Sequence, residues 1–204
     1  MHFSTTAIVC AARPHGETGV VARLLCPDHG LVGGYVAGGR GRQLRPVLIP
    51  GNVVAAELRA KAEGQLPYAR LELVTSRGPW LGEPLPAAAM AWITALTATA
   101  LPERHAYPAL FAALSGLLDA ICHAPSARGW AAGLLAYEAL LLRELGYGMA
   151  AGIRPDGRDW AAFMAGFDRM GASLSRYLLA ERRGDVMGTR ELLRQRLARI
   201  DGTI

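Results

Sequence analysis

Four sets of residues in this chain are of a type that could do chemistry: glycines and arginines between Gly33 and Arg45, the carboxylate of Glu138, five histidines and three cysteines. Gly33, Gly34, Gly38, Gly39 and Gly41 could cradle a phosphate, but no Gly-Lys-Ser/Thr ending follows them. Arg40, Arg42 and Arg45 also fall in a strand-to-strand connection rather than at the opening of a helix. A nucleotide-binding loop is therefore disfavoured. Two readings stay open, a flexible loop whose arginines touch a polyanion and a plain solvated turn.

Glu138 stands among Leu134, Leu135, Leu141, Leu142 and Leu145, where an unpaired carboxylate would be costly. No histidine or second carboxylate lies at helical spacing beside it. Pairing with an arginine, or a cap from a neighbouring segment, is expected in place of acid–base work. His2, His15, His29, His105 and His123 show neither metal-ligand spacing nor a nucleophile partner, and are read as turn or surface residues. Cys10, Cys26 and Cys122 are odd in number and far apart, which indicates neither a disulfide framework nor a zinc site and fits a reducing, cytoplasmic setting. The expectation is a non-enzyme with no catalytic residues, no cofactor and no metal.

The elements that must position these residues divide the 204-residue chain by composition. A hydrophobic fraction of 51% with 19% charged residues argues for a folded protein. Up to Arg77 the chain is rich in valine and glycine, and five short strands are predicted: Ala7 to Ala12, Val20 to Cys26, Leu31 to Ala37, Asn52 to Lys61 and Tyr68 to Ser76. In the fourth, Val54, Ala56 and Leu58 alternate with Glu57, Arg59 and Lys61; in the fifth, Leu71, Leu73 and Thr75 alternate with Arg70, Glu72 and Val74. Five short strands suit a small closed barrel of the oligonucleotide-binding kind.

After Gly78-Pro79 the pattern turns helical, with candidates at Ala87 to Leu101, Pro108 to His123, Ala127 to Leu145, Asp159 to Ala180 and Thr189 to Ile200. Trp160, Phe163, Phe167, Met170, Leu174 and Leu178 follow helical spacing behind a capping Asp159. Gly146 stops the third helix. The last helix, with Leu192, Leu193, Leu197 and Ile200 on one side and Arg190, Arg194, Arg196 and Arg199 around the rest, is of a kind that can contact membrane, nucleic acid or an acidic peptide. Packing of its leucines on the helical domain, with the arginines solvated, is the favoured expectation. The fold class expected is α+β, with a nucleic-acid-binding domain over residues 1–78 and a helical domain over 79–204. No signal peptide is recognised, and the uncharged run from Glu83 to Glu103 holds three prolines and too weakly apolar a composition for a membrane span.

The order Arg13-Pro14-His15-Gly16-Glu17-Thr18, an apolar strand, Asp28-His29-Gly30, a glycine-rich strand and Gly38-Gly39-Arg40-Gly41-Arg42 to Pro46 resembles the start of the bacterial DNA repair protein RecO family. Tyr137 to Gly148 is similar to that family's helix end ahead of its zinc segment. The resemblance covers about residues 1 to 150. It implies an oligonucleotide-binding barrel, a helical domain and a role as recombination mediator that anneals complementary strands and, with RecR, helps load RecA onto DNA coated with single-strand binding protein. The implied partners are single- and double-stranded DNA, RecR, single-strand binding protein and indirectly RecA, with no membrane, in the cytoplasm and associated with the nucleoid. The pattern departs after Gly148, where many members carry four zinc-binding cysteines and this chain has none. No structural zinc and a reduced lobe over Met149 to Asp159 are expected.

Charge then locates the DNA face. The net charge is +5 and the isoelectric point about 9.5. Nine basic residues against five acidic ones up to Arg77 account for +4 of it. All 22 basic residues but Lys61 are arginines, which suit phosphate but equally reflect an arginine-rich genome composition. Arg13, Arg23, Arg40, Arg42, Arg45, Arg59, Lys61 and Arg70 are the expected DNA contacts. Phe3, Tyr35 and Tyr68 are the aromatic residues of this part, few for base stacking, so binding is expected to lean on phosphates and leave base edges free to pair. The competing reading is a general RNA- or DNA-binding scaffold with no role in recombination.

Overall fold

A computed structural model of the chain describes residues 2–62, 64–147, 159–180 and 186–200. Five strands come first: β1 (His2–His15), β2 (Gly19–Cys26), β3 (Gly30–Val36), β4 (Val53–Arg59) and β5 (Tyr68–Thr75). Five helices follow: α1 (Pro84–Ala100), α2 (Pro108–His123), α3 (Ala131–Glu144), α4 (Trp160–Leu174) and α5 (Val186–Ala198). The described residues form two compact units. One reaches to Gly82 and includes Leu101–Phe111; the other comprises Glu83–Ala100 and the described residues from Ala112 onward.

In the first unit the strands pair in the order β1-β2-β3-β5-β4, and β1 also pairs with β4, so the sheet closes on itself. All pairings are antiparallel except the seam between β3 and β5, a short parallel contact at Tyr35 and Tyr68. Alternation fixes what faces inward. Val54, Ala56 and Leu58 of β4 meet Val20, Ala22 and Leu24 of β2 and Val32 and Val36 of β3 in one apolar core, while Glu57 and Arg59 point outward. Burying each valine or leucine there contributes about 1.5–3 kcal/mol.

Three sequence expectations shift in this unit. β1 starts at His2 because the polar stretch before Ala7 pairs residue by residue with β4 from Arg59 to Val53, a partner the local pattern does not reveal. In β5, Leu71 is inside but Leu73, paired with Val54 just before the β4–β5 register slips, is 41% exposed. The connection after β3 is also no free loop. Val47 and Leu48 are buried in the core, Leu44 packs against it, and the Asn52 side-chain amide donates to the carbonyls of Pro46 (2.8 Å) and Val47 (3.1 Å).

Leu101–Phe111 packs on the outer face of this sheet. Leu31 bridges Glu103, and Arg104, at φ 60°, donates its backbone N–H to the Leu31 carbonyl at 2.9 Å. Gly30 makes this approach possible: its φ is +67°, and a Cβ there would sit 1.9 Å from the His105 carbonyl oxygen.

In the helical unit α1 has its prolines in the first turn, where no helical N–H is lost. Its buried Thr94 and Thr97 turn their hydroxyls back to the Met90 and Ile93 carbonyls, both at 2.7 Å. α4 carries the expected stripe, with Trp160, Phe163, Phe167, Met170 and Leu174 all buried and the Asp159 carboxylate accepting from the Ala162 N–H at 2.9 Å. α3 begins at Ala131 rather than Ala127, because Ala127–Gly129 forms a tighter turn and Trp130 is not helical (φ −125°). Gly146, at φ +85°, ends it as expected.

Glu138 and Arg190 are both buried and joined. The Arg190 Nη2 donates to Glu138 Oε2 at 3.0 Å, its Nε to Oε1 at 3.2 Å, and the Trp92 indole N–H to Oε1 at 2.7 Å. The expected structural pairing of Glu138 is therefore met. The expectation for α5 needs correction in two places: Arg190 is 4% exposed, not solvated, and Leu192 is 46% exposed, not packed. Burial pushes the Glu138 carboxyl up from its ordinary range, and the guanidinium and indole oppose that push. Among the described residues, no helix is long and apolar enough to cross a membrane, and no three histidine, cysteine, aspartate or glutamate side chains gather as a metal-ligand set.

Candidate nucleic-acid interface

The basic residues of the sheet unit occupy three different environments. Arg23, on the outer face of β2, lies 3.3 Å from Glu103 of the packed segment, so its charge is engaged within the fold. Arg59 and Arg70 stand on the outer face of β4 and β5. Arg59 holds Glu57 (Nε–Oε1 3.0 Å), and Arg70 lies 3.6 Å from Glu72. His2 reaches the same Glu57 oxygen at 2.9 Å, and the Arg59 and His2 contacts hold the Glu57 carboxyl below the ordinary carboxylate range. This face is close to charge-balanced.

The third environment surrounds the β1–β2 turn. Arg40 donates from its Nη1 to the Glu17 carbonyl at 2.8 Å and from its backbone N–H to the Thr18 carbonyl at 3.1 Å. These bonds clip the segment after β3 onto the turn that follows the end of β1. The backbone N–H of Arg45 bonds the Gly41 carbonyl at 3.0 Å, a helical turn within the same segment. Arg13, Arg40, Arg42 and Arg45 are exposed. Among the described residues, no ion pair engages these four or Lys61, which follows β4.

Next to this cluster the closure seam sets Tyr35 beside Tyr68, ring centroids 5.4 Å apart and perpendicular, with His15 at 5.9 Å on the other side of Tyr35. An open groove runs from Leu44 across Tyr68 to Arg59 and Arg70. Phe3, by contrast, is stacked on His29 at 3.8 Å and packs on the core. The structure thus ties Arg40 to the β1–β2 turn, leaves Arg13, Arg42 and Arg45 exposed, and sets Arg59 and Arg70 in the groove beside Tyr68. It leaves Arg23 apart, paired with Glu103. Sequence reasoning did not join Tyr35 to Tyr68, since the pairing spans 33 positions and closes only with the sheet.

Family comparison places the chain that forms this closed five-stranded sheet and the helices after it among recombination proteins. The model of the recombination protein O N-terminal region matches residues 1–77, and that of its C-terminal region matches residues 83–151. The DNA repair protein RecO of Rhodospirillum centenum is 44% identical over 154 residues, covering 74% of this chain and 60% of that protein. Those of Phenylobacterium zucineum and Caulobacter vibrioides are each 41% identical over 151 residues, at 73% and 60% coverage. The chain belongs to the RecO family. It spans about 60% of the length of these curated relatives. The expected reduction of the zinc segment falls on Met149 to Asp159, of which all but Asp159 lie outside the described residues.

Proposed function

We propose that this chain is a non-catalytic mediator of DNA repair and homologous recombination. It binds single- and double-stranded DNA, anneals complementary strands, and with RecR assists RecA loading on DNA coated with single-strand binding protein. Residues 1–78 carry the DNA, and residues 79–204 receive protein partners, including the single-strand binding protein. The closed sheet is assigned as an oligonucleotide-binding barrel, a reading supported by its strand order and by β1 pairing with both β2 and β4. Its working place is the nucleoid, where its substrate lies.

One observation carries this reading: Arg13, Arg40, Arg42 and Arg45, which we assign to one rim, are exposed with no carboxylate paired to them among the described residues, and Arg40 is held at the β1–β2 turn. Cations held apart from carboxylates are free to replace the counterions of a phosphate backbone. Contacts of that kind position a strand without reading its sequence and leave base edges free for a second strand. Arg59, Lys61 and Arg70 extend the path, while Arg23 contributes least because Glu103 holds it.

Two measurements test the proposal. Single-strand affinity should fall with salt by a log–log slope of about −0.7 per phosphate neutralised, and Arg40→Ala/Arg42→Ala/Arg45→Ala should flatten that slope by about 2. An unchanged slope removes the rim from the site. The chain should also speed annealing of complementary strands coated with single-strand binding protein; binding without annealing would leave a general nucleic-acid scaffold.

A further inference from the structure

Resting on the DNA-binding reading, we infer that Tyr68, backed by Tyr35, is a base-stacking platform for a single-stranded segment entering the arginine rim. The observations are geometric. Tyr68 opens β5 and is 63% exposed, so its ring is accessible to a ligand. It is held in place by neighbours on both sides: the backbone of β4, where Arg59 is its register partner, and Tyr35 across the seam. Tyr35 is fixed in turn, because its N–H donates to the Pro67 carbonyl at 2.7 Å and its ring lies over Gly19. A Cβ at Gly19 would stand 2.4 Å from that ring, so glycine is what lets the tyrosine lie down.

The surroundings name the ligand's chemistry. The groove under Tyr68 is lined by Leu44, by Arg59 and Arg70, and by their partners Glu57 and Glu72, and Tyr35 leads through His15 to the turn that Arg40 clips. A flat, exposed ring with arginines on both flanks fits a nucleobase whose own phosphates run to those arginines. A duplex offers no unstacked base to such a ring. The platform therefore favours single strands, and because every base has a π-face it is indifferent to sequence.

The test compares two labelled oligonucleotides of equal length and charge, a thymidine strand and the same strand with its bases removed. Wild-type protein should bind the thymidine strand more tightly. Tyr68→Thr, β-branched and suited to an exposed strand position, should weaken that binding by about fivefold to a hundredfold and leave the base-free strand and the salt slope unchanged. Tyr68→Phe keeps the ring and should behave as wild type. Equal loss on both strands, no loss on either, or equal wild-type affinity for the two strands would overturn the platform while leaving the arginine rim standing. Failure of the wild type to bind either strand would remove the rim and the platform together.

Discussion

Removing the Glu138 carboxylate should destabilise the helical unit through the charge it leaves behind. Arg190 is 4% exposed and Glu138 fully buried, so Glu138→Gln strands a guanidinium left with the Phe167 carbonyl (2.8 Å), a neutral amide and the faces of Phe167 and Trp92, 3.6 Å and 5.5 Å from its carbon. Breaking one side of a buried pair costs about 3–5 kcal/mol. With a urea dependence of about 2 kcal/mol per molar, the unfolding midpoint should drop by about 1.5–2.5 M. Removing both charges should cost less. Glu138→Leu/Arg190→Met leaves the Trp92 indole N–H as the main orphan, about 1–3 kcal/mol, and adding Trp92→Phe removes that orphan too. The triple variant should therefore be more stable than Glu138→Gln alone. Urea unfolding followed by tryptophan fluorescence reads this unit well, since Trp92, Trp130 and Trp160 belong to it and only Trp80 lies elsewhere. Should Glu138→Gln unfold within about 0.5 M of wild type, the pair is reached by water and the reasoning from burial fails.

Two further outcomes concern the sheet unit. Gly30→Ala combines a left-handed φ of +67° with a Cβ 1.9 Å from a backbone oxygen, so Leu101–Phe111 must detach; a loss of more than about 3 kcal/mol in urea unfolding is expected, and a loss under 1 kcal/mol would show that the segment does not dock there. Burial pushes the Cys10 and Cys26 thiols up to about 12, so both should resist a disulfide reagent at pH 8 in the native protein, where only about one thiol in ten thousand is ionised, and react on unfolding; prompt native reaction of either would contradict their burial.

Local periodicity was enough for much of this protein. The alternation of Val54, Ala56 and Leu58 with charged neighbours, the stripe from Trp160 to Leu174 behind Asp159, and the glycine ending α3 all depend on contacts a few residues away, and sequence carries those directly. The motif order from Arg13 to Arg45 likewise pointed to the family that the comparisons show. Even the expense of a lone carboxylate at Glu138 was readable, though not which arginine would answer it.

Only the tertiary structure decided the rest, because it depends on pairs far apart in the chain. The polar start of β1 became a strand because β4 offered its backbone. Arg190, outwardly one more basic residue on an amphipathic helix, went inside because Glu138 lay 52 positions away with its charge unmet. Of eight candidate DNA contacts, Arg23 was drawn off by Glu103 and Arg59 and Arg70 stand against carboxylates, whereas Arg13, Arg40, Arg42, Arg45 and Lys61 carry no ion pair among the described residues, Arg40 being tied to the β1–β2 turn. Composition counts such charges alike, and the folded sheet is what separates those paired with carboxylates from those without an ion pair among the described residues.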